Sequence, residues 1–445
     1  MYDTVAQYGQ VLGAEIDDWH PPIMVRLWRA LHPLAPGTAP MFLLQVSLYV
    51  VGFALIVAAL VRGGRWRAAV AAAVLAFSPL LLGWQMVVLK DTQMLGALVA
   101  AFGIIAHYRL ACQKTPAFLV AVVVILIAYA TLIRANAPFG TVPFAVLLLP
   151  TRERPFLSAA LALTGTAAIL AISPIINHRL LGAEPSDVAK SQAIFDLAAI
   201  AVAAPSSPRP FTRAEVQQIA SRHCVKAFFW DPLGDPSGCA TATERVTRMP
   251  AGQLYLQLAR EAALHPVAYL QHRLRHWNST ERWLVASGFP DAAPPVEAEA
   301  SDLGLAAPSS PIAEEWQDAA AAEAKTPLGW PIVWAVLSLA LLPGTWRRRS
   351  DAPGSLALAL LVSALSLEAS FLAISIASDL RYHLWPITAS ALALVLLSAD
   401  LRLKRREWVA AGAALTFVIA GGLYTRTTLP PAPDTYEGMI NAASG

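Results

Sequence analysis

The side chains that could move a proton or hold an anion fall into four short groups, each at the edge of an apolar stretch. Asp3 follows Tyr2, and Asp17, Asp18 and His20 directly precede Pro21 and Pro22. Lys90 and Asp91 lie between two apolar runs with almost no loop, and Arg134 meets the end of another run in LIRANAP. Asp379, Arg381, Tyr382 and His383 open a further run in SDLRYHLWP. Carboxylates so placed can accept the proton of a hydroxyl. Lys90, Arg134, Arg381 and a protonated His20 can stabilise a departing oxyanion such as phosphate. Each group also has a plainer account. Asp18 or His20 could cap the helix that the prolines open, and Asp91 could cap one starting at Thr92. Lys90 and Arg134 could snorkel along apolar surface, and Asp379 with Arg381 could be a structural ion pair.

The elements that must position these groups are membrane helices. Of 445 residues, 56% are hydrophobic and only 14% are charged, whereas soluble domains carry about a quarter charged residues. Mean hydropathy is +0.51, so water is not the main solvent for this chain. The net charge of +3 comes without a basic tract interleaved with aromatics, which excludes an electrostatic footprint for nucleic acid. Apolar runs near 41–61, 68–87, 92–108, 117–133, 138–150, 156–175, 328–344, 355–377, 383–400 and 408–424 predict about ten transmembrane helices. The run at 138–150 is short and begins and ends with prolines, as a half-helix or a tilted, partly buried segment would.

Basic residues set the orientation. Alternate loops hold Arg62, Arg65 and Arg67, then Arg109 and Lys114, Arg152 and Arg154, Arg347 to Arg349, and Arg402, Lys404, Arg405 and Arg406. The remaining short loops hold little more than Lys90, Arg134 and Arg381, so the first set is expected in the cytoplasm. Residues 1–40, 178–327 and 425–445 then lie outside, with membrane helices one to six over 41–177 and seven to ten over 328–424. Every group named above falls on the outer face. Residues 1–40 would have to be carried across, either as an acidic amino terminus (Asp3, Glu15, Asp17 and Asp18 against Arg26 and Arg29) translocating with the first helix or, the favoured expectation, behind a further helix upstream of Met1. Pro21 and Pro22 should open a short interfacial helix with Met24, Leu27, Trp28 and Leu31 on its apolar face and Arg26 and Arg29 reaching headgroups.

Within 178–327, residues 252–276 show apolar side chains at helical spacing and predict an interfacial helix broken at Pro266. His272, Arg273, Arg275 and Trp277 suit contact with anionic headgroups. Residues 286–327, rich in Ala, Pro, Ser and acids, read as a mobile loop. Cys224 and Cys239 share this stretch and could pair in an oxidising compartment or stand as two unrelated thiols.

In this order the landmarks resemble the GT-C glycosyltransferases, in the style of protein O-mannosyltransferases, lipid A aminoarabinose transferases and RgtA/B/C/D-like enzymes. The landmarks are an acidic first outer loop, HPP opening an interfacial helix, an acidic second outer loop, Arg before a short apolar segment, a large late outer loop and a terminal RYHLWP. The resemblance implies an all-α polytopic bundle that takes a sugar from a polyprenyl-phosphate donor. It passes the sugar to a lipid, glycan or protein acceptor outside the cytoplasm, by inverting displacement. It matches Asp3 to the family's base, with Asp18 as a substitute, and Asp91 to the acid of the second outer loop. His20 matches the residue before the paired prolines, and Arg381 and Tyr382 match the terminal element. No cofactor is required by the spacing, although a divalent cation on these acids is compatible with an aqueous edge.

Other classes remain open on sequence. A transporter of lipid-linked intermediates would favour mid-span charge and internal repeats, yet Glu368 is the main mid-span charge, open to reading as a buried proton-relay group or, the favoured expectation, a hydrogen-bonded packing partner. A polysaccharide polymerase or ligase shares the large outer loop. A structural assembly role would leave the outer-edge charges dispensable.

Overall fold

The computed structural model describes residues 2–149, 154–205, 209–295, 301–305, 310–398, 405–433 and 435–441. Arg152, Arg402 and Lys404 of the basic loops lie outside the described residues. The chain is about three-quarters helical, with no strand among the described residues, and divides into two compact units.

The first unit comprises residues 1–184, 292–368 and 381–417. It opens with α1 (Tyr2–Leu12) and α2 (Pro22–Leu31), followed by α3 (Ala39–Arg62), α4 (Trp66–Ala76), α5 (Pro79–Gln85) and α6 (Lys90–Arg109). Next come α7 (Ala117–Leu132), α8 (Ala137–Leu148) and α9 (Pro155–Ile175). The second unit, residues 185–291, 369–380 and 418–445, holds α10 (Val188–Ala203), α11 (Arg213–Ser221), α12 (Ala240–Thr247), α13 (Ala251–Leu264) and α14 (Pro266–Thr280). The chain then gives α15 (Pro311–Lys325), α16 (Pro331–Arg347), α17 (Ala352–Ile374), α18 (Leu384–Ser398), α19 (Arg405–Thr428) and α20 (Tyr436–Asn441).

Among the described residues each apolar run expected from sequence is helical, the run at 68–87 as two helices, but the helices differ in their capacity to cross a bilayer. Five among the described residues are long and apolar enough: Ala39–Arg62, Pro155–Leu180, Ala352–Ile374, Leu380–Ser398 and Arg405–Thr428. A sixth span results if α4 and α5, bent by 52°, count together, while α7 and α8 are shorter apolar helices. These features are consistent with a membrane protein. Large side chains stand outward on them, as lipid contact permits, among them Phe156, Leu163 and Phe417.

In the first unit α3 and α6 pack at the distance that small residues allow. A Cβ on Gly103 would lie 2.4 Å from the Gly52 carbonyl oxygen, and one on Gly96 would lie 2.8 Å from that of Gln45. Between these helices runs a buried amide network. Gln45 donates to the carbonyls of Gln85 and Val87, Gln93 donates to Gln45 and to the Met41 carbonyl, and Thr92 donates to Gln45. This network fixes the segment from which α6 starts.

Residues 286–327, expected to be a mobile loop, contain α15. Ser310 caps it by accepting from the Ala313 amide, with Pro311 at its first position. Glu323 of α15 then accepts hydrogen bonds from the Ser78 hydroxyl and the Leu80 amide, placing its charge at the α5 amino terminus. The alanines that suggested looseness supply the close contact, with Ala320 and Ala324 buried.

The second unit has its own core around Phe195, Leu197, Ile219, Leu233, Val246 and Leu254. Cys224 and Cys239 are joined as a disulfide within it. Residues 252–276 form two helices, with Pro266 opening the second. His272 and Arg273 do not reach outward. Both are buried and converge on Asp196, each at 3.1 Å.

Candidate functional site

Asp3 stands in the first turn of α1, a helix not expected from sequence. The neighbouring Thr4 hydroxyl donates to the Val88 carbonyl at 2.8 Å. That bond sets α1 against the strand of chain that leads into α6, and so brings Asp3 to Lys90, with Nζ 3.7 Å from Oδ2. Lys90 and Asp91 form the first turn of α6. Asp91 does not cap it. Thr92 takes that part, its hydroxyl accepting from the Leu89 amide at 3.1 Å. Asp91 turns inward, 2% exposed, and pairs with Arg134 and Arg381.

Arg134 comes from the turn between α7 and α8, where its Nε donates to Asn136 at 3.1 Å. Arg381 comes from the short 3-10 turn before α18. Its Nη1 lies 2.9 Å from Asp3 Oδ2 and its Nε 3.7 Å from Asp91 Oδ2, so one guanidinium spans both acids. The ring of Tyr382 supports the two arginines. The Arg134 guanidinium carbon is 4.1 Å from its centroid and that of Arg381 is 5.5 Å. Six groups from four separate stretches of the first unit thus converge: Asp3, Lys90, Asp91, Arg134, Arg381 and Tyr382.

His20 adjoins them. Its ring centroid is 6.5 Å from that of Tyr2, and both Lys90 and Asp3 lie close enough to act on it electrostatically. Burial, with help from Lys90, pushes the imidazole down to about 4. His20 is therefore neutral at pH 7, and the cationic role expected of it does not hold there. For Asp3, burial would raise the carboxyl, but Lys90 and Arg381 outweigh it and hold the group well below the usual carboxylate range. Nor does His20 or Asp18 cap α2, whose cap position is Pro21 with no side-chain hydrogen bond.

Asp18 has its Oδ2 3.4 Å from His178 Nε2. The Asp18 amide donates to the Glu184 carbonyl, and the Glu184 amide donates to that of Ile16. Arg26, expected at headgroups, donates to the Leu181 carbonyl, and Arg29 donates to that of Gln10. Both arginines therefore tie the amino-terminal segment down. On α2 the buried apolar face is Met24, Val25 and Trp28, with Leu27 half-buried. Glu368 accepts from His383 Nδ1 at 2.7 Å, with both residues buried, which accords with packing.

Chemically, the arrangement sets two carboxylates among three basic side chains with the more exposed acid, Asp3, at 17%. Such a set can bind an anion through Lys90 and the arginines and can accept a proton at a carboxylate. No protein-family model, curated protein or solved structure matches the chain.

Proposed function

We propose that the chain is a membrane glycosyltransferase of the GT-C kind, using a polyprenyl-phosphate sugar on the non-cytoplasmic face. The observation that carries this reading is the convergence of Asp3, Lys90, Asp91, Arg134, Arg381 and Tyr382, residues matched independently to landmarks of that family or to its chemistry. In the reaction, a hydroxyl oxygen of the acceptor attacks the anomeric carbon from the face opposite the phosphate. Its proton passes to Asp3, and the bond from carbon to phosphate oxygen breaks with the electron pair leaving on phosphate. Lys90, Arg134 and Arg381 hold that charge, and the anomeric configuration inverts.

Asp3 suits the base better than Asp91 because it is the more exposed of the two, while Asp91 is enclosed by guanidinium groups and orients them. The ion pairs that keep Asp3 a weak base are the ones a phosphate would compete for. Donor binding therefore raises the proton affinity of Asp3 when the acceptor must be deprotonated. The outer placement is supported by the poverty of basic residues in the loops that carry the cluster. The disulfide of the second unit is in keeping with an oxidising compartment. The ten-span count belongs to this reading as well, with α6, α7, α8 and α16 crossing beside the longer helices.

The test is sugar transfer or release from a labelled polyprenyl-phosphate donor by the purified full chain, compared with Asp3→Asn. Transfer abolished by that substitution is the expected result. A wild-type protein that binds the donor yet never cleaves it, in the presence of candidate acceptors, would sink the enzyme reading in favour of a carrier.

A further inference from the structure

The second unit contains a helix whose polarity is inverted. On α14 the side chains turned inward are polar: His272, Arg273, His276, Ser279 and Thr280 are all buried. Those turned outward include Val267, Leu270 and Leu274, which are 67%, 52% and 46% exposed. Their spacing of three and then four residues places them on one face. A helix in contact with water shows the opposite pattern, apolar inside and charged outside.

The buried polar side is specifically satisfied, so the inversion is built and not a chance of composition. Arg273 donates to Asp196 and to the carbonyls of Phe371, Leu372 and Ser375. His276 Nδ1 donates to the Ala227 carbonyl at 2.7 Å, and Ser279 donates to Ser378 at 2.9 Å. The Arg273 bonds matter for position as well. Phe371 and Leu372 belong to the last turn of α17, one of the helices long enough to cross a membrane. Arg273 therefore fastens α14 beside the end of that helix.

We infer that the Val267, Leu270 and Leu274 face of α14 is immersed in the outer acyl-chain boundary of the bilayer. Fifteen residues give the helix a length of about 22 Å, too short to cross a hydrocarbon core of about 30 Å. It lies at the edge. The exposed Leu264 at the end of α13 and the exposed Arg275 beside Leu274 fit the same surface, the arginine reaching lipid phosphate while the aliphatics sit deeper. This occupant differs from the one suggested by sequence in its residues. His272 and Arg273, which looked like headgroup ligands, are the inward anchors, and the aliphatics are what meets lipid.

The experiment uses the full chain with Cys112, the exposed unpaired cysteine, replaced by Ser. Val267→Cys, Leu270→Cys and Leu274→Cys are labelled singly with a bimane and placed in nanodiscs of phosphatidylcholine and phosphatidylglycerol. Glu244→Cys, an exposed site on α12, is the reference. Spin-labelled acyl chains should quench the three α14 sites at least about threefold more than the reference, with aqueous iodide showing the reverse order. Equal iodide quenching at all four sites would overturn the inference. So would protection from both quenchers together with disulfide cross-linking between copies at Leu270→Cys, which would mean that protein covers the face. Carbene labelling of the unsubstituted protein from a bilayer-dissolved probe gives an independent reading, with adducts on residues 266–275 expected. Absence of adducts there, alongside labelled α9, would count against lipid contact.

Discussion

Arg381 holds Asp3 and Asp91 at once, its Nη1 2.9 Å from one carboxylate and its Nε 3.7 Å from the other. The three residues come from opposite ends and the first third of the chain, so the bridge is a statement about the fold and not about local sequence. A planar guanidinium can present separate N–H groups to two acids, whereas an ammonium concentrates its charge at one point. Arg381→Lys should therefore keep the net charge yet lose the bridge. Turnover of the labelled donor is expected to fall about tenfold or more for Arg381→Lys and about a hundredfold for Arg381→Gln. Equal activity of Arg381→Lys and wild type would show that only the charge matters.

The acids should separate by position. Asp3→Asn and Asp91→Asn each remove a member of the cluster and are expected to cost about a hundredfold or more in transfer. Asp18→Asn acts on a contact with His178 at 3.4 Å, a residue outside the six, and it should leave transfer within a few-fold of wild type. Full transfer in both Asp3→Asn and Asp91→Asn would remove the proposed chemistry. A complete loss in Asp18→Asn alone would move the base to that residue.

The Tyr382 ring lies 4.1 Å from the Arg134 guanidinium, a contact worth about 0.5–2 kcal/mol. Tyr382→Phe preserves the aromatic face and should keep donor affinity within about twofold. Tyr382→Leu should weaken it by about two- to thirtyfold, the same energy expressed as a ratio. Donor titration at equilibrium distinguishes the two. If Phe and Leu behave alike, the ring is only a spacer.

Much of this was legible beforehand, and the failures share a cause. Apolar runs of membrane length mark their helices because hydrocarbon leaves the backbone no alternative. The charged groups at the ends of those runs are visible for the same reason. Which acid meets which base is decided by packing between distant helices, and Asp91 illustrates it. Its sequence position suggests a cap, but Thr92 occupies the Leu89 amide and frees the carboxylate to turn toward Arg134 and Arg381. The helix α15 was missed because the prolines and serines of the surrounding stretch outweighed, in a compositional reading, the good helix formers Ala and Glu that build it. The Ser310 and Pro311 pair ahead of it was the available signal. The inward turn of Arg273 was missed because helical spacing identifies faces without saying which one is inside.

Acid should destabilise the protein before its carboxylates titrate fully. His20 is pushed down to about 4 and His276 to about 3, in both cases chiefly by burial. Above the unfolded value near 6.5 both states hold the imidazole neutral, so nothing is lost there. Between 6.5 and 4 the unfolded chain binds protons that the folded chain refuses, and stability falls as pH falls. When complete, that fall amounts to about 3 kcal/mol for His20 and about 5 kcal/mol for His276, whose window extends down to its lower folded value. In detergent, the melting temperature should drop from pH 7 to pH 4.5. His20→Gln should remove part of the drop, and the double variant His20→Gln, His276→Gln more of it. A single variant with an unchanged pH slope would mean that His20 is hydrated in solution.

The close approach of α3 and α6 gives the sharpest stability contrast, because it depends on a single missing carbon. A Cβ at Gly103 would lie 2.4 Å from the Gly52 carbonyl oxygen, and that neighbour is backbone, which cannot swing aside. Gly103→Ala must therefore force the helices apart, at a cost of about 1–3 kcal/mol typical of overpacked interiors. The damage should extend to function, since the amides of Gln45 and Gln93 that steady the start of α6 lie on the same helix pair. Gly412 on α19 has nothing within 4 Å of such a carbon, and Gly412→Ala should be neutral or slightly stabilising through helix propensity. Paired melting curves and donor turnover for the two variants test the point. A harmless Gly103→Ala would mean that α3 and α6 stand farther apart than 2.4 Å at that position implies, and the geometry placing Lys90 beside Asp3 would have to loosen with them.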